Sequence, residues 1–192
     1  MDSQKTGGIT ILETELIVRD NWLGLMRRHF LDRLGKHGSW TYVERNGDRK
    51  AVVIVARHEP SESLILIRQF RVPMNAWVFE FPAGLMDEGE TPYQTATREM
   101  EEETGYSGTI LRISSDLTST AGLCSEIIYF VEMSCTTDPA EHAREASEAI
   151  EVVLLRDSAS EIEHFLAVAR AESVLIDGKL QTWLSARLPW KR

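Results

Sequence analysis

Acidic side chains are concentrated in one short stretch of this 192-residue chain. Residues 87–103 hold seven aspartates and glutamates and one arginine, a net charge of −6, whereas the whole chain carries −9. Carboxylates this close together repel one another unless a cation lies among them. Mg²⁺ prefers carboxylate oxygens and shares its coordination shell with waters and substrate phosphates. The stretch therefore indicates a divalent-cation site acting on a phosphorylated substrate, and a merely solvated acidic helix face is the alternative.

Most of these acids are predicted to lie on a short helix of about Pro92–Thr104. Thr91 is the expected N-cap, proline suits the first helical position, and Gln94 completes a capping box. Gly105 is expected to end the helix. Residues spaced i, i+3 and i+4 share one face of a helix. Three glutamates have that spacing: Glu99, Glu102 and Glu103.

The spacing of these residues resembles the signature of the Nudix hydrolase superfamily. Residues 84–106 have the pattern G-x5-E-x7-R-E-M-x-E-E-x-G-Y, which agrees with the Nudix box at every defined position. The segment RQFRVPMNAWVFEFPAGLMDEGE (68–90) is similar to the one found in members that cleave ADP-ribose and other nucleoside diphosphate sugars. The resemblance implies an α/β/α sandwich with a mixed sheet, preceded by a small N-terminal β segment that serves in dimerisation.

The resemblance also implies a set of metal ligands. Glu99, Glu103 and the backbone carbonyl of Ala83 are implied as direct ligands of Mg²⁺, with Mn²⁺ able to substitute. Glu102 is implied as a ligand or as a neighbour that supports the ligands, and it is also a catalytic candidate. Glu80 is implied to reach the metals directly or through water, beside the bound substrate.

Four further residues are expected to support the site rather than to react. A guanidinium next to a carboxylate restricts its rotamers through paired hydrogen bonds, so Arg98 is interpreted as support for the acidic face. Glu90 is expected to orient the preceding loop onto the helix in a similar way. Gly84 and Gly105 permit tight backbone geometry.

The resemblance implies that the general base is a glutamate on a loop before a late strand, and the matching stretch in this chain is REASEAIEVVLL (144–155). Glu148 is the first candidate for the base or for an additional metal ligand, and Glu145 is the second. Some family members have another glutamate where this chain has Ala146, which argues against a mechanism with two loop glutamates. A solvated loop is the alternative for both candidates.

Two residues are implied on the substrate side. Arg71 is expected to contact the diphosphate or the nearby ribose, since a guanidinium forks onto phosphate oxygens. Trp40 is expected to stack on the base, and a place in the core or in a dimer interface is the alternative. Ala121 stands where ADP-ribose hydrolases usually have proline, which weakens ADP-ribose relative to other nucleoside diphosphate sugars.

The expected function is metal-dependent cleavage of ADP-ribose or a related nucleoside diphosphate sugar into a nucleoside monophosphate and a sugar phosphate. One alternative is a hydrolase for nucleoside diphosphate sugars, such as GDP-mannose, that has no preference for ADP-ribose. A nucleoside triphosphatase is disfavoured by the segment before the box and by the N-terminal extension. A non-catalytic nucleotide-sugar-binding module is disfavoured because every box carboxylate is present.

The order of the remaining elements favours an α/β fold with helices packed on a mixed sheet. Residues 1–47 are predicted to form the N-terminal β segment and residues 48–192 the Nudix domain. Residues 24–34 are ambiguous between helix and strand. Strands are predicted at 9–19, 39–46, 51–57, 63–70, 77–81, 108–113, 126–133 and 150–155, and helices at 157–171 and 178–188.

Composition limits the class of protein and its partners. A hydrophobic content of 43% and a charged content of 27% are ordinary for a globular chain. The acidic balance argues against a nucleic-acid partner. We find no signal peptide, no apolar run of membrane-spanning length and no disulfide framework in the two cysteines. These features favour a cytoplasmic protein that acts on a small molecule, and the resemblance implies that it works as a homodimer.

Overall fold

The structure is a computed structural model that describes residues 7–140 and 149–189. It divides into two compact units. The first contains the described residues up to Lys50 together with Asp116–Ile128, and the second contains Ala51–Ser115 and the described residues from Tyr129 onward. The unit that contains the N-terminal β segment therefore also includes Asp116–Ile128, which the sequence did not predict.

The described residues form twelve strands and three α-helices. The helices are α1 (Pro92–Thr104), α2 (Ala159–Ala171) and α3 (Gly178–Ser185). The strands are β1 (Thr10–Arg19), β2 (Leu23–Leu31), β3 (His37–Arg45), β4 (Ala51–His58), β5 (Ser63–Arg71), β6 (Ala76–Glu80), β7 (Ala83–Leu85), β8 (Thr109–Ile113), β9 (Leu117–Thr118), β10 (Ile127–Cys135), β11 (Ile150–Arg156) and β12 (Leu175–Ile176).

The first unit is built on a three-stranded antiparallel sheet in the order β1-β2-β3. The ambiguous segment forms the central strand β2, because both neighbours pair with it along its length. The loop after β9 joins β3: Val43 donates its N–H to Leu123 at 2.8 Å and accepts from Ser125 at 3.1 Å. Pairing with β1 and β3 therefore makes β2 a strand, whereas hydrophobic periodicity alone left this segment ambiguous between helix and strand.

The second unit has the predicted mixed sheet between helices. Its strands follow the order β12-β6-β5-β4-β10-β8, with β11 pairing β5 and β7 pairing β4. The pair β6–β12 is parallel, whereas β5 is antiparallel to β4, β6 and β11. Helix α1 packs on β4 and β7, α2 packs on β11 and β12, and α3 packs on β6. This arrangement is the α/β/α sandwich expected from the sequence.

Helix α1 has the bounds and caps that the sequence predicted. The side chain of Thr91 accepts from the Gln94 N–H, and the Gln94 side chain accepts from the Thr91 N–H at 2.9 Å. Gly105 ends the helix in the left-handed conformation with a φ of 76°. Met100 and Tyr106 are buried in the core beneath α1.

None of the helices formed by the described residues has the length and apolar character that a membrane span requires.

Candidate active site

Arg98 lies at the centre of a hydrogen-bond network on α1. Its Nε and Nη2 each donate to one oxygen of Glu90 at 3.0 Å. Its Nη1 donates to Glu99 at 2.8 Å and to Glu102 at 3.0 Å, while Nη2 also donates to the Leu85 carbonyl at 3.2 Å. One guanidinium therefore offsets repulsion among three carboxylates. It has the contacts that its predicted supporting role requires.

Glu90 ties the loop before α1 to the helix. Besides Arg98, it accepts from the backbone N–H of Asp87 at 3.0 Å and from the hydroxyl of Thr95 at 2.7 Å. Hydrogen bonding from Arg98 is the largest cause that lowers the pKa of Glu90 to about 2. The same contact raises the pKa of Arg98. Both groups are therefore charged, and together they hold the loop in place.

Strand β7 approaches α1 so closely that Gly84 has no room for a side chain. A Cβ on this residue would lie 1.9 Å from both Cδ and Oε1 of Glu99. The Glu99 side chain is only 14% exposed, so its carboxylate is held against the backbone of β7. Glycine is needed here for the close approach rather than for a left-handed backbone.

A second carboxylate from α1 reaches the same part of β7. The backbone N–H of Ala83 donates to Oε2 of Glu103 at 3.1 Å. Glu102, by contrast, leaves 60% of its side chain exposed and is bonded by Arg98. The three glutamates predicted on one face thus divide into two against the Ala83–Gly84 backbone and one at the solvent edge.

This donor set fits a hard divalent cation. Glu99 and Glu103 bring carboxylate oxygens to the Ala83–Gly84 backbone of β7, and the Ala83 carbonyl is the third predicted ligand. Mg²⁺ is commonly held by one or two carboxylates, and waters and substrate phosphates complete its shell. No three Asp, Glu, His or Cys side chains form a ligand cluster in the described ranges 7–140 and 149–189. Waters and substrate oxygens would therefore have to supply the remaining ligands.

The structure joins two residues to which the sequence assigned separate roles. Both oxygens of Glu80 accept from Arg71, at 2.7 Å from Nε and 2.9 Å from Nη2. Glu80 is buried at 8% exposure, whereas 41% of the Arg71 side chain is exposed. The sequence signal that could have predicted this pair is the short turn at Val72–Met74, which makes β5 and β6 antiparallel neighbours. The predicted metal role of Glu80 and phosphate role of Arg71 remain predictions.

Trp40 lies in the first unit and is 57% exposed. Its indole N–H donates to the Gly122 carbonyl at 3.0 Å, which fixes the ring at the loop that carries Ala121. The side chain is therefore outside the core, and stacking on a base and a dimer contact both remain open. Arg45 pairs with Glu126 beside this loop, a contact that sequence reasoning missed because 81 residues separate the partners.

The two candidates for the general base, Glu148 and Glu145, lie outside the described residues. Their roles stay predictions.

The chain is similar in sequence and in fold to known proteins. Residues 47–174 match the Nudix domain family. The chain is 32% identical over 141 residues to the ADP-sugar pyrophosphatase of Mus musculus, covering 70% of this chain and 65% of that protein. It is 32% identical over 116 residues to the ADP-ribose pyrophosphatase of Bacillus subtilis, covering 59% of this chain and 62% of that protein. The crystal structure of an ADP compounds hydrolase superposes with a TM-score of 0.64 at 25% identity, over 79% of this chain and 80% of that one.

The family match covers more than half of the chain, so the chain belongs to the Nudix family. The resemblance inferred from the box is confirmed. The chain spans about two thirds of the length of the mouse and Bacillus proteins.

Proposed function

We propose that this protein is a Mg²⁺-dependent hydrolase that cleaves the pyrophosphate bond of ADP-ribose or a related nucleoside diphosphate sugar. The products are a nucleoside monophosphate and a sugar phosphate. The names of two relatives, an ADP-sugar pyrophosphatase and an ADP-ribose pyrophosphatase, support this substrate class.

One observation carries the proposal: two carboxylates of α1 lie against the same two backbone residues of β7. The contact between Ala83 and Glu103 and the closeness of Glu99 to Gly84 bring these donors together. An acidic helix face that served only for solubility would not need a glycine opposite one of its carboxylates.

Each residue then has a defined task. Glu99, Glu103 and the Ala83 carbonyl would hold the metal, and Glu102 would act beside them. The bound cation supplies charge neutralisation for the diphosphate and a lowered pKa for an attacking water. Arg98 holds the glutamates in position. A loop glutamate accepts the proton of the attacking water, with Glu148 as the first candidate and Glu145 as the second.

The nucleoside half of the substrate is proposed to stack on Trp40, and the chain is proposed to work as a homodimer. The exposed indole supports the first point. Apolar side chains exposed on β1 support the proposal of a homodimer. A preference for a sugar nucleotide such as GDP-mannose is the second candidate, favoured by Ala121 in place of the usual proline.

The proposal is tested by incubating the protein with ADP-ribose, ADP-glucose, GDP-mannose, UDP-glucose and ATP, each with Mg²⁺, Mn²⁺ or EDTA. We expect a nucleoside monophosphate from one or more sugar nucleotides, metal dependence, and little product from ATP. Glu103→Gln should lower turnover by about two orders of magnitude or more, with an unchanged circular dichroism spectrum. Near-normal turnover by this variant would overturn the metal assignment, and metal-dependent binding without product would indicate a binding module.

A further inference from the structure

The carboxylate of Glu80 is buried, and both of its oxygens are engaged by one guanidinium. We propose that Glu80 serves the reaction as the positioning residue of Arg71 and not as a ligand of the metal. In this role it holds the Arg71 guanidinium ready for the diphosphate of the substrate. The inference rests on the proposed function and replaces the metal role that the sequence suggested for Glu80.

The geometry of the pair favours this role. Two parallel N–H···O bonds of 2.7 and 2.9 Å fix the plane of the guanidinium as well as its place. Separating the partners would leave the charge of Glu80 unpaired at 8% exposure, which is strongly unfavourable. A metal that recruited Glu80 would have to break this fork, whereas a phosphate can approach the half-exposed Arg71 while the fork stays intact.

The neighbourhood of the pair also points to a ligand. Cross-strand partners and alternate residues share one face of a sheet, so the register Ile67↔Glu80 and Gln69↔Val78 places Gln69, Arg71 and Glu80 on one face of β5 and β6. On this face Gln69 has a buried Oε1 with no hydrogen-bond partner among the described residues. A buried acceptor of this kind normally receives a bond from water or ligand. A substrate hydroxyl or an ordered water beside the Arg71-bound phosphate would satisfy it.

The test separates metal binding from nucleotide binding. Binding of ADP-ribose is measured by calorimetry in EDTA, and binding of Mn²⁺ is measured by electron paramagnetic resonance of the free ion. The variants are Glu80→Gln, Arg71→Lys and their combination. Glu103→Gln serves as the metal-site control.

A matched control lies on the neighbouring strand pair. Arg68 donates to Glu151 at 2.9 Å across β5 and β11, so Arg68→Lys and Glu151→Gln repeat the same chemical changes at a single hydrogen bond whose carboxylate is more exposed than that of Glu80. Thermal unfolding of every variant verifies that the fold is retained. If Glu80→Gln fails to fold, Arg71→Lys tests the same contact.

We expect Glu80→Gln and Arg71→Lys each to weaken metal-free binding of ADP-ribose about tenfold, because each loses part of a charge-assisted fork. The combined variant should bind ADP-ribose no more weakly than the weaker of the two single variants, because both changes break the same contact. The Mn²⁺ affinity of all three variants should stay within about twofold of wild type. The control pair should change neither quantity.

Three results would overturn the inference. They are a loss of Mn²⁺ affinity in Glu80→Gln equal to that in Glu103→Gln, unchanged metal-free binding in both fork variants, or no metal-free binding by the wild-type chain. Failure of the proposed function has a different signature: the wild-type chain would bind ADP-ribose but neither bind Mn²⁺ nor release product.

Discussion

At the scale of single residues, the gap between β7 and α1 is set by the absence of a side chain at Gly84. We predict that Gly84→Ala forces Glu99 out of its place, because the new methyl group would lie 1.9 Å from the carboxylate. Overpacking of this kind destabilises a fold by about 1–3 kcal/mol. A misplaced ligand can lower turnover by about 100-fold. Chemical denaturation and the hydrolysis assay measure the two effects.

Gly178→Ala is the control for this prediction. Gly178 begins α3, and a Cβ there would meet no atom within 4 Å. The alanine should leave hydrolysis unchanged and raise the free energy of unfolding by about 0.5–1 kcal/mol. Equal hydrolysis by the Gly84 and Gly178 variants would contradict the assigned close approach.

Glu90 should make the stability of the fold depend on pH in the acid range. Its pKa is about 2 in the folded chain and about 4.3 in an unfolded one. The contribution is therefore fully present above pH ~4.3 and disappears as the pH falls towards 2. The free energy of unfolding of wild type should exceed that of Glu90→Gln near pH 6, and the two should converge near pH 2. A difference that stays constant across this range would contradict the assignment.

At the scale of elements, α1 depends on its first turn for a defined start. Thr91→Ala removes the side-chain acceptor of the capping box and should cost about 0.5–2 kcal/mol. Thr97→Ala, a partly exposed position later in the same helix, should be neutral or slightly stabilising because alanine is the better helix former. Urea unfolding of both variants gives the comparison. Equal effects of the two substitutions would show that the cap does not set the stability of this helix.

At the scale of the whole molecule, apolar side chains exposed on β1 predict association of two chains. Leu16 and Val18 are 49% and 60% exposed, and such patches mark interaction surfaces. We expect a homodimer at micromolar concentration by light scattering, and the variant Leu16→Asp/Val18→Asp should be monomeric. Leu111→Asp, at an exposed leucine of β8, should remain dimeric. A monomeric wild-type chain would contradict this prediction.

Local sequence was sufficient for the elements whose signals lie within a few residues of one another. The bounds and caps of α1 and the family of the chain follow from the spacing of neighbouring residues, and the structure and the family match confirm them. The box pattern also indicated where carboxylates would be concentrated. These properties are local, because a helix brings together residues that are three or four positions apart.

Only the tertiary structure decided the interactions between residues distant in the chain. It made β2 a strand, joined Asp116–Ile128 to the N-terminal unit, and showed why residue 84 must be glycine. It also paired Arg71 with Glu80, although each had been assigned a different role. The physical reason is that strand register and close backbone approach depend on partners chosen by packing, which no local spacing encodes.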